Sequence, residues 1–179
     1  QSEDSFLLIS DEGLQKTTEK LAILLARRGE EISEIINLGV VGKLNQKLEI
    51  GKVYPIRTCY YFLKDQAQYK SFHLNAEGVD CISSHQRLLN IKQYDELKNF
   101  ADVVDRELWA ICSVAAIFKI QVQAFKLISD DAGFSETIKC HTIQENAFDY
   151  SLTLFNFYKS IVQVHEHDSH IHLELKAIQ

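Results

Sequence analysis

Apolar, strand-like runs separated by an amphipathic helix constrain the fold of this chain more than any other feature. Apolar residues run through segments 34–37 and 121–128, which is typical of strands covered on both faces. Residues 6–9 predict another buried strand, and an amphipathic helix begins near Leu14 and ends at Gly29. Strand, helix and strand in this order predict a parallel, right-handed βαβ unit at the start of the chain.

The alternation continues to the end of the chain and predicts an α/β fold. Segments 63–78 and 84–99 read as connections, and Ser135 can N-cap a long final helix that reaches residue 160. The further predicted elements are strands at 52–61, 79–83, 103–104 and 120–128, a helix at 106–119 and a loop at 129–133. We therefore expect three layers: a mixed, mostly parallel sheet with helices on both faces.

The sequence divides into a domain at residues 1–160 and a histidine-rich tail at residues 161–179. The tail alternates like an added edge strand, and it contains His165, His167, His170 and His172. On a strand the first two would share one face and the last two the other, which makes a poor single metal site. A solvated tail without metal is the prediction, and a metal site at a contact between chains is the alternative.

Composition and charge exclude several classes of protein. The chain has 179 residues, 46% of them hydrophobic, and a net charge of −6, so we expect one compact domain without nucleic acid as its main partner. No apolar run approaches the roughly 20 residues of a membrane span. Four scattered cysteines predict a reduced, cytoplasmic protein. The absence of methionine predicts that a segment precedes residue 1.

Carboxylates follow two of the predicted strands, where ligands of open α/β sheets bind. Glu107 lies in the loop at 105–107, Asp130 lies in the loop at 129–133, and the glycine-spaced segment 38–42 follows a third strand. Cleavage of a glycosidic bond uses such a pair, one carboxylate staying charged while the other acts as general acid. The alternatives are that Asp130 only caps its loop and that Glu107 only begins a helix.

Several short motifs in order resemble the nucleoside phosphorylase and 5′-methylthioadenosine/S-adenosylhomocysteine nucleosidase superfamily. The resemblance covers residues 6–160. The matching stretches are GLQK at 13–16, IINLGVVG at 35–42, LEIGKV at 48–53, VDRE at 104–107 and KLISD at 126–130. The resemblance implies a nucleoside phosphorylase-like fold, a homodimer, a purine nucleoside as ligand and no cofactor.

The resemblance also implies roles for individual residues. Asp130 matches the aspartate that protonates N7 of the leaving purine, and Ser129 orients it. Glu107 matches the glutamate that binds the ribose hydroxyls. Gly39, Val40 and Gly42 would line the base and ribose pocket.

Some residues depart from the pattern of the family. Asn37 stands where phosphorylases have a phosphate-binding arginine, and Val40 replaces a serine or threonine, so hydrolysis is expected rather than phosphorolysis. Arg106 replaces a methionine under the ribose, and Lys126 replaces an arginine. Arg87 lies in the loop where an aromatic side chain covers the purine. These three residues are candidate substrate-binding residues in a changed, more highly charged pocket.

Two functions remain open from the sequence. The first is a purine nucleosidase-like N-ribosyl hydrolase acting on a nucleoside or 5′-thionucleoside. The alternative is a non-catalytic nucleoside- or nucleotide-binding module that has lost the water-activating glutamate. Family hydrolases carry that glutamate near their first strand, and Glu12, the only early candidate, is expected on a different loop.

Overall fold

A computed structural model describes residues 5–63, 66–85, 91–132 and 144–176. Side chains are described for residues 5–61, 71–85, 92–132 and 144–162. Arg87 and Ser135 lie outside the described residues, so the predictions for them stay predictions.

One helix precedes four consecutive strands, after which helices and strands alternate to the end of the described chain. The helices are α1 (Leu14–Arg28), α2 (Ile91–Leu97), α3 (Leu108–Phe118) and α4 (Ala147–Lys176), with a 3-10 turn at Gly29–Glu31. The strands are β1 (Glu34–Lys43), β2 (Val53–Leu63), β3 (Gln66–His73), β4 (Val79–Ser83), β5 (Val103–Asp105) and β6 (Gln121–Asp131). No helix within the described ranges is long and apolar enough to cross a membrane.

The six described strands form one mixed sheet in the order β3-β2-β4-β5-β1-β6, and the start of β2 also pairs with β6. The pairs β1–β6, β2–β4 and β4–β5 are parallel, whereas β1–β5, β2–β3 and β2–β6 are antiparallel. The predicted mixed α/β fold is confirmed. The sheet is not mostly parallel by number of pairs, because three of the six described strand pairs, β1–β5, β2–β3 and β2–β6, are antiparallel.

Strands β1 and β6 pair with each other along their length, and each has a second partner over a short stretch only: β5 at Gly42 and Lys43 of β1, and β2 at residues 125–127 of β6. Residues 34–37, predicted as a central strand, therefore pair with β6 on one side only among the described strands. On β6, Leu127 and Ile128 are fully buried, and Ile56 and Leu108 join them among the largest buried side chains. Helix α1 packs against α3, α3 packs on β6, and α4 contacts both β1 and β6. Most of β1 is only partly buried, and Val40 is 37% exposed. The three-layer arrangement stays a prediction.

The first predicted strand is wrong. Residues 6–9 form no strand, and Leu7 and Ile9 are 77% and 75% exposed. A strand needs a neighbour for its backbone hydrogen bonds, and no described strand pairs with this segment. The described part of the predicted βαβ unit is therefore α1 followed by β1.

Three further boundaries differ because strand pairing extends or adds strands. Residues 66–73, predicted as a connection, form β3, which pairs with β2 as a hairpin. The predicted glycine turn after residue 38 is instead the continuing strand β1. The predicted loop from residue 129 belongs to β6 as far as Asp131, because Gly42 pairs with Asp130 after a bulge in the β1–β6 ladder.

The C-terminal segment is helical and not an edge strand. Helix α4 runs without interruption from Ala147 to Lys176 and thus includes the four histidine positions of the tail. A helix satisfies its backbone hydrogen bonds internally, whereas an added strand would need a free sheet edge. The division into a domain and a tail at residue 160 stays a prediction.

Candidate active site

Asp130 lies near the end of β6 in a nearly buried position, with 8% of its surface exposed. The Ser129 hydroxyl oxygen is 2.6 Å from Asp130 Oδ1 and 3.1 Å from the Val41 carbonyl oxygen, so its proton can bind either acceptor. The Tyr150 hydroxyl of α4 donates to the Ser129 carbonyl at 3.0 Å. Burial and the charge of Asp130 raise the pKa of Tyr150. The strand end and α4 thus hold this carboxylate in place.

Gly42 allows β1 to approach the Asp130 carboxylate closely. A β-carbon at position 42 would lie 3.2 Å from the Ala132 β-carbon and 3.4 Å from Asp130 Oδ2. The neighbouring Asp131 has a different partner, because its Oδ2 accepts a 2.6 Å hydrogen bond from the Gln46 side chain. Asp130 is therefore the carboxylate of this pair that faces the Gly42 region.

Glu107 lies between β5 and α3, as predicted, and contacts the loop before α1. Its Oε1 accepts a 2.6 Å hydrogen bond from the backbone N–H of Gly13. Burial raises the pKa of Glu107, the Gly13 N–H lowers it, and the Asp105 charge raises it again. The positive charges of Lys126 and Arg106 oppose the rise, and the net shift is upward.

A buried ion pair lies beside Glu107. Lys126 Nζ is 3.1 Å from Asp105 Oδ2, and the two side chains are 3% and 0% exposed. Burial alone would lower the pKa of Lys126, but Asp105 and other negative groups raise it above its ordinary value. Asp105 Oδ1 also accepts from the Ser83 hydroxyl, and Oδ2 accepts from the Leu108 N–H in the first turn of α3. Lys126 is therefore buried next to the candidate site and paired with Asp105.

Glycine at position 39 leaves room for the Lys126 ammonium group, because a β-carbon there would lie 3.3 Å from Nζ. Gly39 and Gly42 therefore each lie against a different cluster of site residues. Lys126, Asp105 and Glu107 form the first, and Ser129 and Asp130 form the second. Three residues of β1 correspond to about 10 Å, so this strand joins both clusters, with Val40 between them.

Arg106 also lies at the site, beside Glu107. Its Nη1 forms an ion pair with Glu12, and its Nη2 donates to the His85 carbonyl oxygen at 3.4 Å. Glu12 lies just before α1, on a different loop from Glu107 and Asp130. The fold brings Glu12, 94 positions away in the sequence, into contact with the residue next to Glu107.

Sequence reasoning missed several residues that support the site. Asp105 belongs to the VDRE motif, and a charged residue inside a predicted strand could have indicated its burial, although not its partner Lys126. Ser83 and Tyr150 contact the site across large sequence separations, for which a single sequence carries no signal. Gly13 belongs to the GLQK motif, but that motif did not indicate its contact with Glu107. Asn37 Oδ1 is buried without a hydrogen-bond partner within the described part of the chain.

The class defined by these features is an α/β fold with one carboxylate after β5 and one near the end of β6, the two strands that pair with β1 on either side. No protein-family model and no curated protein matches the chain by sequence. Solved structures do match. A futalosine hydrolase mutant of Helicobacter pylori strain 26695 superposes with a TM-score of 0.73 at 16% identity, covering 86% of this chain and 78% of that one.

Two nucleosidases show the same likeness. The 5′-methylthioadenosine/S-adenosylhomocysteine nucleosidase of Helicobacter pylori, solved with butyl-thio-DADMe-Immucillin-A, has a TM-score of 0.72 at 18% identity over 86% of this chain and 77% of that one. The Streptococcus pneumoniae nucleosidase, solved with the transition-state inhibitor MT-ImmA, has a TM-score of 0.69 at 15% identity over 82% and 75%. The chain therefore has the fold of these hydrolases, as the resemblance predicts.

Proposed function

We propose that this protein is an N-ribosyl hydrolase of purine nucleosides or 5′-thionucleosides. The observation that carries the proposal is a pair of carboxyl groups near β1: Asp130 pairs with Gly42, and Glu107 is influenced by the charge of Lys126, which lies against Gly39. Glu107 also accepts a hydrogen bond from the Gly13 N–H, and the Ser129 hydroxyl lies within hydrogen-bond distance of Asp130. The solved structures of the same fold include nucleosidases and a futalosine hydrolase, which supports this class of reaction.

In the proposed reaction the two carboxylates act on opposite ends of the breaking bond. The bond between the anomeric carbon and purine N9 breaks, and its electron pair leaves with the base. Asp130 donates a proton to N7, which makes the purine a better leaving group. Glu107 binds the ribose hydroxyls and stabilises the positive charge that develops on the sugar.

Water completes the reaction. Its oxygen bonds to the anomeric carbon, one of its protons stays on the new hydroxyl group, and the other restores the proton of Asp130. Phosphate is not the proposed acceptor, because Asn37 and Val40 supply neither a cation nor a hydroxyl group at the matching positions. Gly39, Gly42 and Ser129 shape the pocket in this proposal, and Arg106 lies on its ribose side.

The test is release of adenine or hypoxanthine from a panel of nucleosides, with and without phosphate. Asp130→Asn keeps the shape of the side chain but cannot supply the proton, so we expect kcat to fall roughly 10²- to 10⁴-fold. Asp131→Asn is the matched control, because that carboxylate contacts Gln46 instead. We expect both variants to keep the circular dichroism spectrum and melting temperature of the wild type.

Each contrary result has a distinct meaning. Base release that requires phosphate would show that the reaction is phosphorolysis. Wild-type protein that binds a nucleoside but releases no base would favour the non-catalytic binding module. An equal loss of kcat in the Asp130 and Asp131 variants would contradict the role of Asp130 as the proton donor.

A further inference from the structure

The Arg106 guanidinium group has hydrogen-bonding capacity that the described chain does not use. Its Nη1 pairs with Glu12 and its Nη2 contacts the His85 carbonyl oxygen, but Nε is buried with no hydrogen-bond partner among the described residues. The side chain is 29% exposed, so part of the group reaches the surface. A guanidinium group offers its donors in a planar arrangement that matches a carboxylate or a phosphate.

Arg106 and its partner lie next to the proposed ribose-binding residue. Glu12 and Gly13 are consecutive, and so are Arg106 and Glu107; Glu12 contacts Arg106 while Gly13 donates to Glu107. A ligand whose ribose reaches Glu107 therefore brings its sugar substituents towards Arg106. Asp130, which lies with Ser129 in the second cluster of site residues, is the residue proposed to protonate the purine base.

The Glu12–Arg106 ion pair can be exchanged, unlike the other ion pair of the site. The Glu12 side chain is 54% exposed, and such solvent-exposed pairs contribute only up to about five-fold to an equilibrium constant. Lys126 and Asp105 are almost fully buried, so separating them would leave a buried charge without its partner. Arg106 is therefore the cation of the described site that is able to change partner.

We propose that Arg106 binds an anionic group, a carboxylate or a phosphate, at the 5′ position of the ribose, and that Glu12 occupies Arg106 until this ligand displaces it. The inference rests on the proposed function and adds the chemical class of the substrate. It also accounts for a charged residue at a position where the resembling family has methionine.

Three ligands that differ only at the 5′ position test the proposal: adenosine, adenosine 5′-monophosphate and adenosine 5′-carboxylic acid. Dissociation constants are measured by calorimetry on protein carrying Asp130→Asn, so that no base is released during the titration. We expect at least one charged ligand to bind roughly ten-fold more tightly than adenosine. The charged ligand that binds more tightly identifies the anionic group.

Two substitutions at the ion pair have opposite expected effects. Arg106→Gln removes the cation, so the ratio of the dissociation constant of adenosine to that of the charged ligand should fall to about one. Glu12→Gln should tighten binding of the charged ligand by up to about five-fold, because its competitor is gone. Arg57→Gln is the matched control, since Arg57 also forms an exposed ion pair, with Asp80.

The contrary results separate this proposal from the proposed function. If the protein binds adenosine as tightly as both charged ligands, or if Arg106→Gln leaves the preference unchanged, Arg106 does not select an anion. In that case release of adenine by the wild type would still support the hydrolase. A protein that binds none of the ligands and releases no base would contradict both proposals.

Discussion

Glu107, the residue proposed to bind the ribose, lies in an unfavourable environment for its charge. Burial is the largest cause of its raised pKa, and the Gly13 N–H opposes the rise without cancelling it. The folded chain thus favours the protonated form of Glu107 more than the unfolded chain does. A residue kept in such an environment is typical of a functional site.

This raised pKa predicts a pH dependence of stability. The stability that Glu107 contributes is fully present below its ordinary pKa of 4.5 and is lost as the pH rises through the higher value of the folded state. Glu107→Gln removes the titrating group, so its melting temperature should fall less than that of the wild type as the pH rises above 4.5. Scanning calorimetry from pH 4 to roughly pH 8 measures both proteins.

Glu49→Gln is the control for this pH series, because the Glu49 side chain is 64% exposed. It should follow the wild type at every pH. Identical curves for the wild type and the Glu107 variant would contradict the assignment of the pH effect to Glu107.

At the scale of elements, the connection between β3 and β4 depends on one glycine. Gly78 has a φ of +130°, and a β-carbon there would lie 2.3 Å from the Pro55 carbonyl oxygen of β2. Gly51 also has a positive φ, +84°, but a β-carbon there meets no described atom within 4 Å. Substitution of Gly51 would therefore introduce backbone strain alone, whereas substitution of Gly78 would introduce both strain and steric overlap.

Substitution of these glycines by alanine should therefore have unequal costs. Gly51→Ala introduces strain alone, and we expect it to lower the free energy of unfolding by about 1–2 kcal/mol. Gly78→Ala adds an overlap with backbone that must shift, so it should cost more than Gly51→Ala. Urea denaturation of both variants measures the difference, and equal costs would mean that β2 moves aside freely.

At the scale of the whole molecule, helix α4 carries an exposed apolar stripe. Phe148, Leu152 and Phe155 recur at helical spacing and are 77%, 48% and 56% exposed. Contiguous apolar surface of this kind is typical of an interaction site. The homodimer expected from the resemblance would offer a second copy of the chain to cover it.

We therefore predict that the protein has the mass of two chains in light scattering. Leu152→Asp should shift the population towards one chain, because the new charge would be buried at the contact. Ile23→Asp is the control, since Ile23 is also an exposed apolar residue, 54% exposed, but lies on α1 rather than on α4. A single-chain mass for the wild type would contradict the dimer, and equal effects of both substitutions would exclude the α4 stripe as its interface.

Local patterns in the sequence determined the elements whose signals are local. The apolar runs predicted β1, β4 and β6, and the glycine and amphipathic spacing predicted α1. The order of the short motifs predicted the fold and placed Glu107 and Asp130 near strand ends. The elements depend on neighbouring residues and on periodicity, which a single chain displays directly, whereas the prediction from the motifs rests on the resemblance to a known family.

Only the tertiary structure decided which distant residues meet. It left residues 6–9 without a strand partner, extended β6 through Ser129 and Asp130 by pairing with β1, and made the histidine-rich segment part of α4. It also paired Glu12 with Arg106 and Asp105 with Lys126. Strand pairing and burial of charge depend on contacts between residues far apart in the chain, and local sequence patterns do not specify those contacts.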